Sequence, residues 1–252
     1  MSKLPLVSII MPCFNASDLI VRSIESVLNQ TYANWELLIT NDCSRDNSEL
    51  IIQEYLKKDS RIKLFNLSQN SGVAAARNNS INQAQGDFIA FLDSDDTWFP
   101  TKLEKQITFM TENDYAFSYT AYRKIDNNDK FISKPIEVIT KGINYSKLLK
   151  HNEIGCLTAV VHKSLLKDKR MIKVGHEDYV FWLSILRGGV LAYGLNEVLA
   201  SYRVGNESIS SNKLKAASFT WNIYRNIEKL GFFKSLYYFA NYALLSVIKY
   251  LK

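Results

Sequence analysis

Three carboxylates within four residues, Asp93, Asp95 and Asp96, follow directly on the apolar run Phe88-Ile-Ala-Phe-Leu in this 252-residue chain. Acids packed this closely repel one another unless something positive sits among them, and hard oxygen ligands suit Mg²⁺ or Mn²⁺ bridging to phosphate. Five of the six residues from Phe88 to Asp93 are apolar and the run follows Gly86, the pattern of a strand buried on both faces. The acids therefore stand at its carboxyl end, the edge where ligands bind in an open parallel sheet. Asp93 and Asp95, two residues apart, can aim at one point once the chain leaves the pleat. The plain alternative is a solvated Asp-rich turn capping the next helix.

Two further features are odd for pure scaffold. Asp42 and Asp46 come just after a second apolar run, Glu36-Leu-Leu-Ile-Thr40. Arg77 falls near the start of a helix, where the macrodipole mildly disfavours a cation. Taken singly, Asp46 reads as a helix cap and Arg77 as a surface residue.

The elements that must position these groups follow from periodicity. Leu6–Met11 is a strand ended by Pro12-Cys13, and Ala16–Gln30 is a helix capped by Asn15 or Ser17. Glu36–Thr40 is a second strand, followed by a helix to about Lys58 capped by Ser44 or Asp46. Arg61–Leu67 is a third strand, Asn70-Ser-Gly72 a turn, and Val73–Gln85 a third helix ending at Gly86. Four strands alternating with helices in about 90 residues predict a parallel sheet with helices on both faces. Beyond it, the pattern predicts a helix over Lys102–Asn113, a strand over Tyr115–Arg123 and a turn at Asp126–Asp129. A helix over Asn144–Lys150, an extended stretch over Leu157–His162, a helix over Glu177–Arg187 and strands over Val190–Leu195 and Val198–Val204 complete the sheet region. The alternating Tyr115, Tyr119 and Tyr122 mark a half-buried strand more readily than a sugar-stacking surface.

Composition narrows the class. The chain is 47% hydrophobic and 22% charged, ordinary for a globular protein. Cys13, Cys43 and Cys156 are far apart with no CxxC spacing, so neither a disulfide framework nor a zinc site is indicated. His151, His162 and His176 share no ligand spacing. No apolar leader precedes the first strand, which fits a cytoplasmic location. The net charge of +6 arises in the last forty residues, where seven Lys and Arg face the single acid Glu228. The body before them is balanced and offers no basic face for a nucleic acid backbone.

VSIIMPCFNA, LLITNDCSRDNS, NSGVAAARN and FLDSDDTW, in that order and at these spacings, resemble the nucleotide-binding half of family 2 glycosyltransferases. The match is strong over residues 6–100 and continues weakly to about 205 through His176-Glu177-Asp178-Tyr-Val-Phe-Trp182 and Ser201-Tyr202-Arg203. The resemblance implies a GT-A fold and an inverting enzyme that uses a nucleotide-activated sugar with Mn²⁺ or Mg²⁺. It implies Pro12 and Asn15 beside the base, Asp42 on the uracil edge, Arg77 and Arg203 on the nucleotide, Asp93 at the ribose or metal, and Asp95 on the metal. For the general base it points to Asp178, with Glu177 one residue earlier as the substitute; the bland reading of both is first-turn acids complementing a helix dipole. Three departures stand out: Asn41-Asp42 replaces the usual pair of acids, Cys43 replaces the usual glycine, and no His follows Arg203 closely.

The expected division is a nucleotide-sugar and metal half (1–98), an acceptor and catalytic-base half (99–205), and a C-terminal helical pair (206–252) split at Gly231. The uncharged run Ser235–Ile248, 14 residues or roughly 21 Å as helix, is shorter than the roughly 30 Å hydrocarbon core. Basic and aromatic, this tail suits the headgroup layer of an anionic membrane; a hairpin packed on its own domain or on a second subunit is the alternative. The expected partners are a nucleotide-sugar donor, a glycan or glycolipid acceptor and the inner face of the cell membrane. A catalytically inactive nucleotide-binding scaffold is the rival. A nicotinamide-dependent fold is disfavoured because no GxGxxG follows the first strand, and a signalling receiver domain is about half this length.

Overall fold

In the computed structural model, which describes residues 4–205 and 213–251, the first half of the chain forms four parallel strands joined by helices. They are β1 (Val7–Cys13), β2 (Trp35–Asn41), β3 (Ile62–Asn66) and β4 (Phe88–Phe91), joined by α1 (Ile20–Leu28), α2 (Ser48–Leu56) and α3 (Val73–Gln83). The eight-stranded sheet continues through β5 (Thr97–Trp98), β6 (Phe117–Ile125), β7 (Val160–His162) and β8 (Tyr193–Arg203) in the order β3-β2-β1-β4-β7-β6-β8-β5. Pairing turns antiparallel at β7 and parallel again between β6 and β8. The sheet is therefore mixed, with its parallel part carrying the carboxyl edge predicted for the acids.

Both faces are covered, which is why the strands are apolar on both sides. Val7, Ile9 and Met11 pack with Ile20, Ile24 and Val27 of α1, while Ile10 faces α3 and α6 (Glu177–Leu186). On that second face the Trp182 ring meets the Phe91 ring edge-on at 5.2 Å. This contact fixes α6, which starts with Glu177 and Asp178, against the strand that leads into Asp93.

Several predicted boundaries move for identifiable reasons. β1 continues through Pro12 and Cys13, pairing with Thr40 and Asn41. A proline is tolerated there because its missing N–H faces β4, which has already ended opposite Ile10. Helix α1 starts at Ile20 rather than Ala16, and neither Asn15 nor Ser17 caps it. The two strands expected between 190 and 204 are one irregular strand, β8. Only Val160–His162 of the expected extended stretch is strand, preceded by a tight helical turn at Cys156–Thr158. Tyr119 is buried in the core on β6, and the half-buried Tyr115 stacks on Tyr193 at 3.6 Å at the core's edge.

Helix α4 (Lys102–Glu112) and helix α5 (Tyr145–Lys150) form as expected. The tail gives α7 (Lys213–Asn222), a wide turn at Ile223–Ile227 and α8 (Phe232–Leu251), broken near Gly231. It is no detached appendage. Ile223 and Tyr224 are wholly buried in the same core as α6, and the Tyr224 hydroxyl donates to the Leu149 carbonyl. The Glu228 carboxylate, buried at its side chain, accepts from both Tyr145 and Arg187. The packed alternative thus holds for the tail's inner side, and its first residues, 206–212, lie outside the described ones.

Tyr224→Ala is expected to destabilise the whole domain by about 3–5 kcal/mol, as loss of a buried aromatic side chain does. Urea denaturation followed by tryptophan fluorescence checks this. A loss below about 1 kcal/mol would mean that the tail folds independently of the sheet.

Candidate active site

Four loops leave the carboxyl edge of the parallel strands and enclose a cleft of about 460 Å³, within the range of small-molecule sites. Its walls come from Pro12 and Asn15 after β1, Asp42 after β2, Asn70 and Gly72 before α3, and Asp93 and Asp95 after β4. A larger cavity of about 750 Å³ opens at the other end of β4, around Gly86, Asp87, Lys163 and Arg170. It lies away from the acid cluster and at the edge where parallel sheets do not bind ligands.

The loop after β1 is held by the loop after β2. Asn15 adopts φ +48, a left-handed conformation that asparagine tolerates. Its side-chain oxygen accepts from the Arg45 N–H at 2.8 Å, and its own N–H donates to Ser44 Oγ at 3.0 Å. Asp46 accepts from the backbone N–H groups of Ser17 and Ser48 and from the Ser48 hydroxyl, so it joins the entry of α1 to the start of α2. Burial works to raise its pKa, but these hydrogen bonds outweigh that and hold the carboxyl at about 2.

Asn41 and Asp42 divide their tasks. The Asn41 amide is turned inward, accepting from the Ser44 N–H and donating to Asn66. Asp42 lines the cleft, and its two oxygens accept from the N–H groups of Ser71 and Gly72 at 2.7 and 2.8 Å. Each oxygen keeps a lone pair for a ligand donor. Cys43, where the motif resemblance leads one to expect glycine, has φ +61, the backbone region that favours glycine.

The acid loop is gripped from both sides. Arg77 is buried, not on the surface, and donates to Asp93 at 2.6 Å. Burial opposes the guanidinium charge, but Asp93, and further off Asp178, more than restore it. Arg77 Nε is buried with no partner among the described residues. On the other side the buried Asp96 accepts from the Arg203 N–H at 2.8 Å. The Arg203 guanidinium in turn donates to the Asp95 and Asp126 carbonyls and, at 2.5 Å, to Asp129, which Arg22 also meets at 2.8 Å. Arg203 does not line the cleft; these bonds make it the back support of the acid loop. Asp96 and Asp129 carry this support, and sequence reasoning assigned a role to neither. Burial first, and the neighbouring Asp95 and Asp93 charges next, push the Asp96 carboxyl well up.

Asp95 is the acid that remains to be satisfied. Loss of solvent around the carboxyl, then the charge of Asp93, push it up to about 6, while the residue as a whole stays exposed at the cleft. The described residues supply no cluster of three or more ligating side chains. Mg²⁺ and Mn²⁺ do not need one, since Mg²⁺ is commonly held by one or two carboxylates together with substrate phosphates and water. Asp95 with Asp93 fits that donor set.

Asp178 stands in the first turn of α6 and is partly sheltered. Burial raises its carboxyl pKa and the Arg77 charge pulls it back part of the way. Glu177 precedes it in the same turn. Cys156 is close enough to feel the charges of Arg77, Asp93 and Asp178, a neighbour that no sequence spacing signals.

A family model described as glycosyl transferase family 2 matches residues 8–170. The chain belongs to that family. Bacillus subtilis TuaG, a glycosyltransferase assigned by name to teichuronic acid biosynthesis, is 45% identical over 250 residues, 97% of each chain. The Escherichia coli UDP-Glc:alpha-D-GlcNAc-diphosphoundecaprenol beta-1,3-glucosyltransferase WfgD is 43% identical, covering 97% of this chain and 95% of its own. Among solved structures, S. aureus TarS 1–349 in complex with UDP superposes with a TM-score of 0.69 at 21% identity, over 87% of this chain and 65% of that one. The mannosyltransferase PcManGT from Pyrobaculum calidifontis, in complex with GDP-Man and Mn²⁺, gives 0.72 at 16% identity, over 91% and 66%. The protein is therefore a family 2 glycosyltransferase with a GT-A-like fold.

The loop clasp predicts a pH effect with a definite sign. Because the folded-state pKa of Asp46 lies below the ordinary 3.8, its contribution is fully present above that value and is lost as pH falls through about 2. Allowing for partial solvent exposure, it is worth about 1–2 kcal/mol. Denaturation of wild type and Asp46→Asn at pH 6 and pH 2.5 should give a stability gap that narrows at the lower pH; a constant gap would contradict the clasp.

Proposed function

We propose that this family 2 enzyme transfers a sugar from a UDP-sugar to a hydroxyl of a lipid-linked glycan, with inversion, in the synthesis of a cell-surface polysaccharide. The observation that carries the reading is the convergence of Pro12, Asn15, Asp42, Asp93 and Asp95 on one cleft, with Arg77 linking Asp93 to the neighbourhood of Asp178. The names of TuaG and WfgD, and the UDP held by TarS, support the choice of donor, acceptor class and pathway type.

In this reading Pro12 and Asn15 bound the base and Asp42 accepts the uracil N–H. Arg77, with its free Nε, meets the nucleotide beside Asp93, and Arg203 acts from behind by holding the Asp95 backbone. Asp95 and Asp93 are the residues that would hold Mn²⁺ or Mg²⁺. When bound, such an ion supplies positive charge to the leaving diphosphate; the Mn²⁺ of PcManGT supports this. The acceptor hydroxyl gives its proton to the Asp178 carboxylate, and its oxygen forms a bond to the anomeric carbon. The bond from that carbon to the β-phosphate oxygen breaks, and the electron pair leaves on the diphosphate. Attack opposite the leaving group inverts the centre. The raised pKa of Asp178 brings it closer to the range useful for a general base.

The lipid-linked acceptor gives the tail its second task. Among the described residues no helix is long and apolar enough to cross a membrane. Yet Phe233, Leu236, Tyr237 and Leu244 form an exposed apolar stripe along α8, with Phe233 84% exposed. Together with the basic residues of the tail it suits a peripheral seat on the anionic inner face of the cell membrane.

Calorimetric titration with UDP, with and without Mn²⁺, tests the donor site. Asp95→Ala should abolish the metal-dependent part of binding and leave the fold intact; an unchanged Mn²⁺ requirement would remove Asp95 from the metal. Asp178→Asn should keep UDP affinity and lower turnover about 10²-fold or more, and the same profile from Glu177→Gln instead would move the base by one residue. Phe233→Glu with Leu244→Glu should release the protein from anionic vesicles at unchanged UDP affinity, and retained sedimentation would refute the membrane seat.

A further inference from the structure

Helix α6 begins without the usual support. His176 precedes it with φ −139 and gives no side-chain capping hydrogen bond, and the first turn carries two adjacent acids, Glu177 and Asp178. Their attraction to the helix dipole is favourable, but attraction of that kind does not fix where the turn sits. The body of the helix is held by Trp182 on Phe91 and by the Tyr179 hydroxyl on the Leu148 and Leu149 carbonyls, and the residues leading into its first turn are held by α7. Gly175 has φ +86, and a Cβ placed on it would meet the Phe219 ring at 3.0–3.2 Å. The same ring takes the His176 imidazole edge-on at 5.6 Å. Phe219 thus rests flush on the two residues that lead into Glu177 and Asp178, and only glycine at 175 lets it approach so closely.

The ring is itself firmly mounted. One turn further on, Ile223 and Tyr224 are wholly buried, with the Tyr224 hydroxyl on the Leu149 carbonyl. Beyond them Glu228 is clasped by Arg187, just past the far end of α6, and by Tyr145. The tail therefore grips α6 at both ends, through Phe219 at the start and Glu228 at the finish.

We infer that Phe219 is a positioning residue for the glycosyl transfer: through Gly175 and His176 it sets the place of the α6 first turn, and with it the Asp178 carboxylate, relative to the donor cleft. This rests on the assignment of Asp178 as base. Displacing a reacting group by about 1 Å can cost about 10²-fold in rate, so the contact bears on turnover more than on donor binding, whose residues lie on other loops.

The test is hydrolysis of UDP-glucose, or of whichever UDP-sugar the wild-type enzyme turns over, alongside UDP affinity by calorimetry. Phe219→Ala should lower kcat about tenfold or more at unchanged UDP affinity, and Phe219→Met, which restores bulk, should recover most of the loss. Gly175→Ala, which pushes its methyl into the ring and also strains a backbone held at φ +86, should reproduce the Phe219→Ala profile and serves if that variant folds poorly. Full turnover in both variants, or turnover and UDP affinity falling together, would overturn the inference. Asp178→Asn separates the two layers. If it retains turnover, the base assignment fails and this inference with it; if it loses turnover while Phe219→Ala and Gly175→Ala keep theirs, the inference alone fails.

Discussion

Three carboxyls within four residues can share a loop only if their charges are met, and the structure meets them unequally. Arg77 answers Asp93 directly, while Asp96 is buried against the backbone of β8 under Arg203. Asp95 lies between the two, its backbone carbonyl held by Arg203 and its carboxyl exposed at the cleft, where it feels the charges of Arg203 and Arg77 from a distance. The remainder of the fold follows from this constraint. Helix α3 must bring a buried arginine to the carboxyl edge of β4, and β8 must end at the point where Asp96 awaits a donor. The long connection around Asp126–Asp129 must close over Arg203. The position of Asp95, exposed at the cleft between a paired Asp93 and a buried Asp96, is then a property of the architecture.

The parallel half was legible because each strand is apolar on both faces and each helix shows its own period, so Val7, Trp35, Ile62 and Phe88 begin strands close to where the pattern puts them. The cleft was legible for the same reason: strand ends fix loop positions, and four loops on one edge must converge. Burial and orientation were not readable in that way. Arg77 passes for a surface residue in sequence because its partner, Asp93, is sixteen residues away on another element. Asp96 gives no signal that separates it from Asp95, since one step along a turn decides which carboxyl faces the cleft and which enters the core. In sequence the motif resemblance puts Arg203 on the nucleotide; in the folded chain its guanidinium donates to the Asp95 and Asp126 carbonyls and to the Asp129 carboxylate, partners that only the fold brings near.

The tail has an inner side packed on the domain and an exposed apolar side, which the sequence pattern does not separate. Its aromatic residues divide by direction: Phe219, Tyr224 and Tyr238 turn toward the domain, while Phe233 and Tyr237 turn outward. Composition cannot make that division, because the same residue types stand on the packed side and on the exposed side. The wide turn at Ile223–Ile227 sets it, directing Tyr224 inward before Gly231 allows α8 to run along the surface.

The bond from the Arg203 N–H to Asp96 spans 107 positions of the chain. During synthesis the polypeptide is made from its amino end at about 5–20 residues per second, so Asp96 leaves the ribosome well before the strand that will complete its loop. Over that interval the four parallel strands can pair, but the acid loop has no back wall. The nascent amino-terminal half is consequently a sheet with an unfinished cleft, and the acid loop gains its back wall only once β8 is in place.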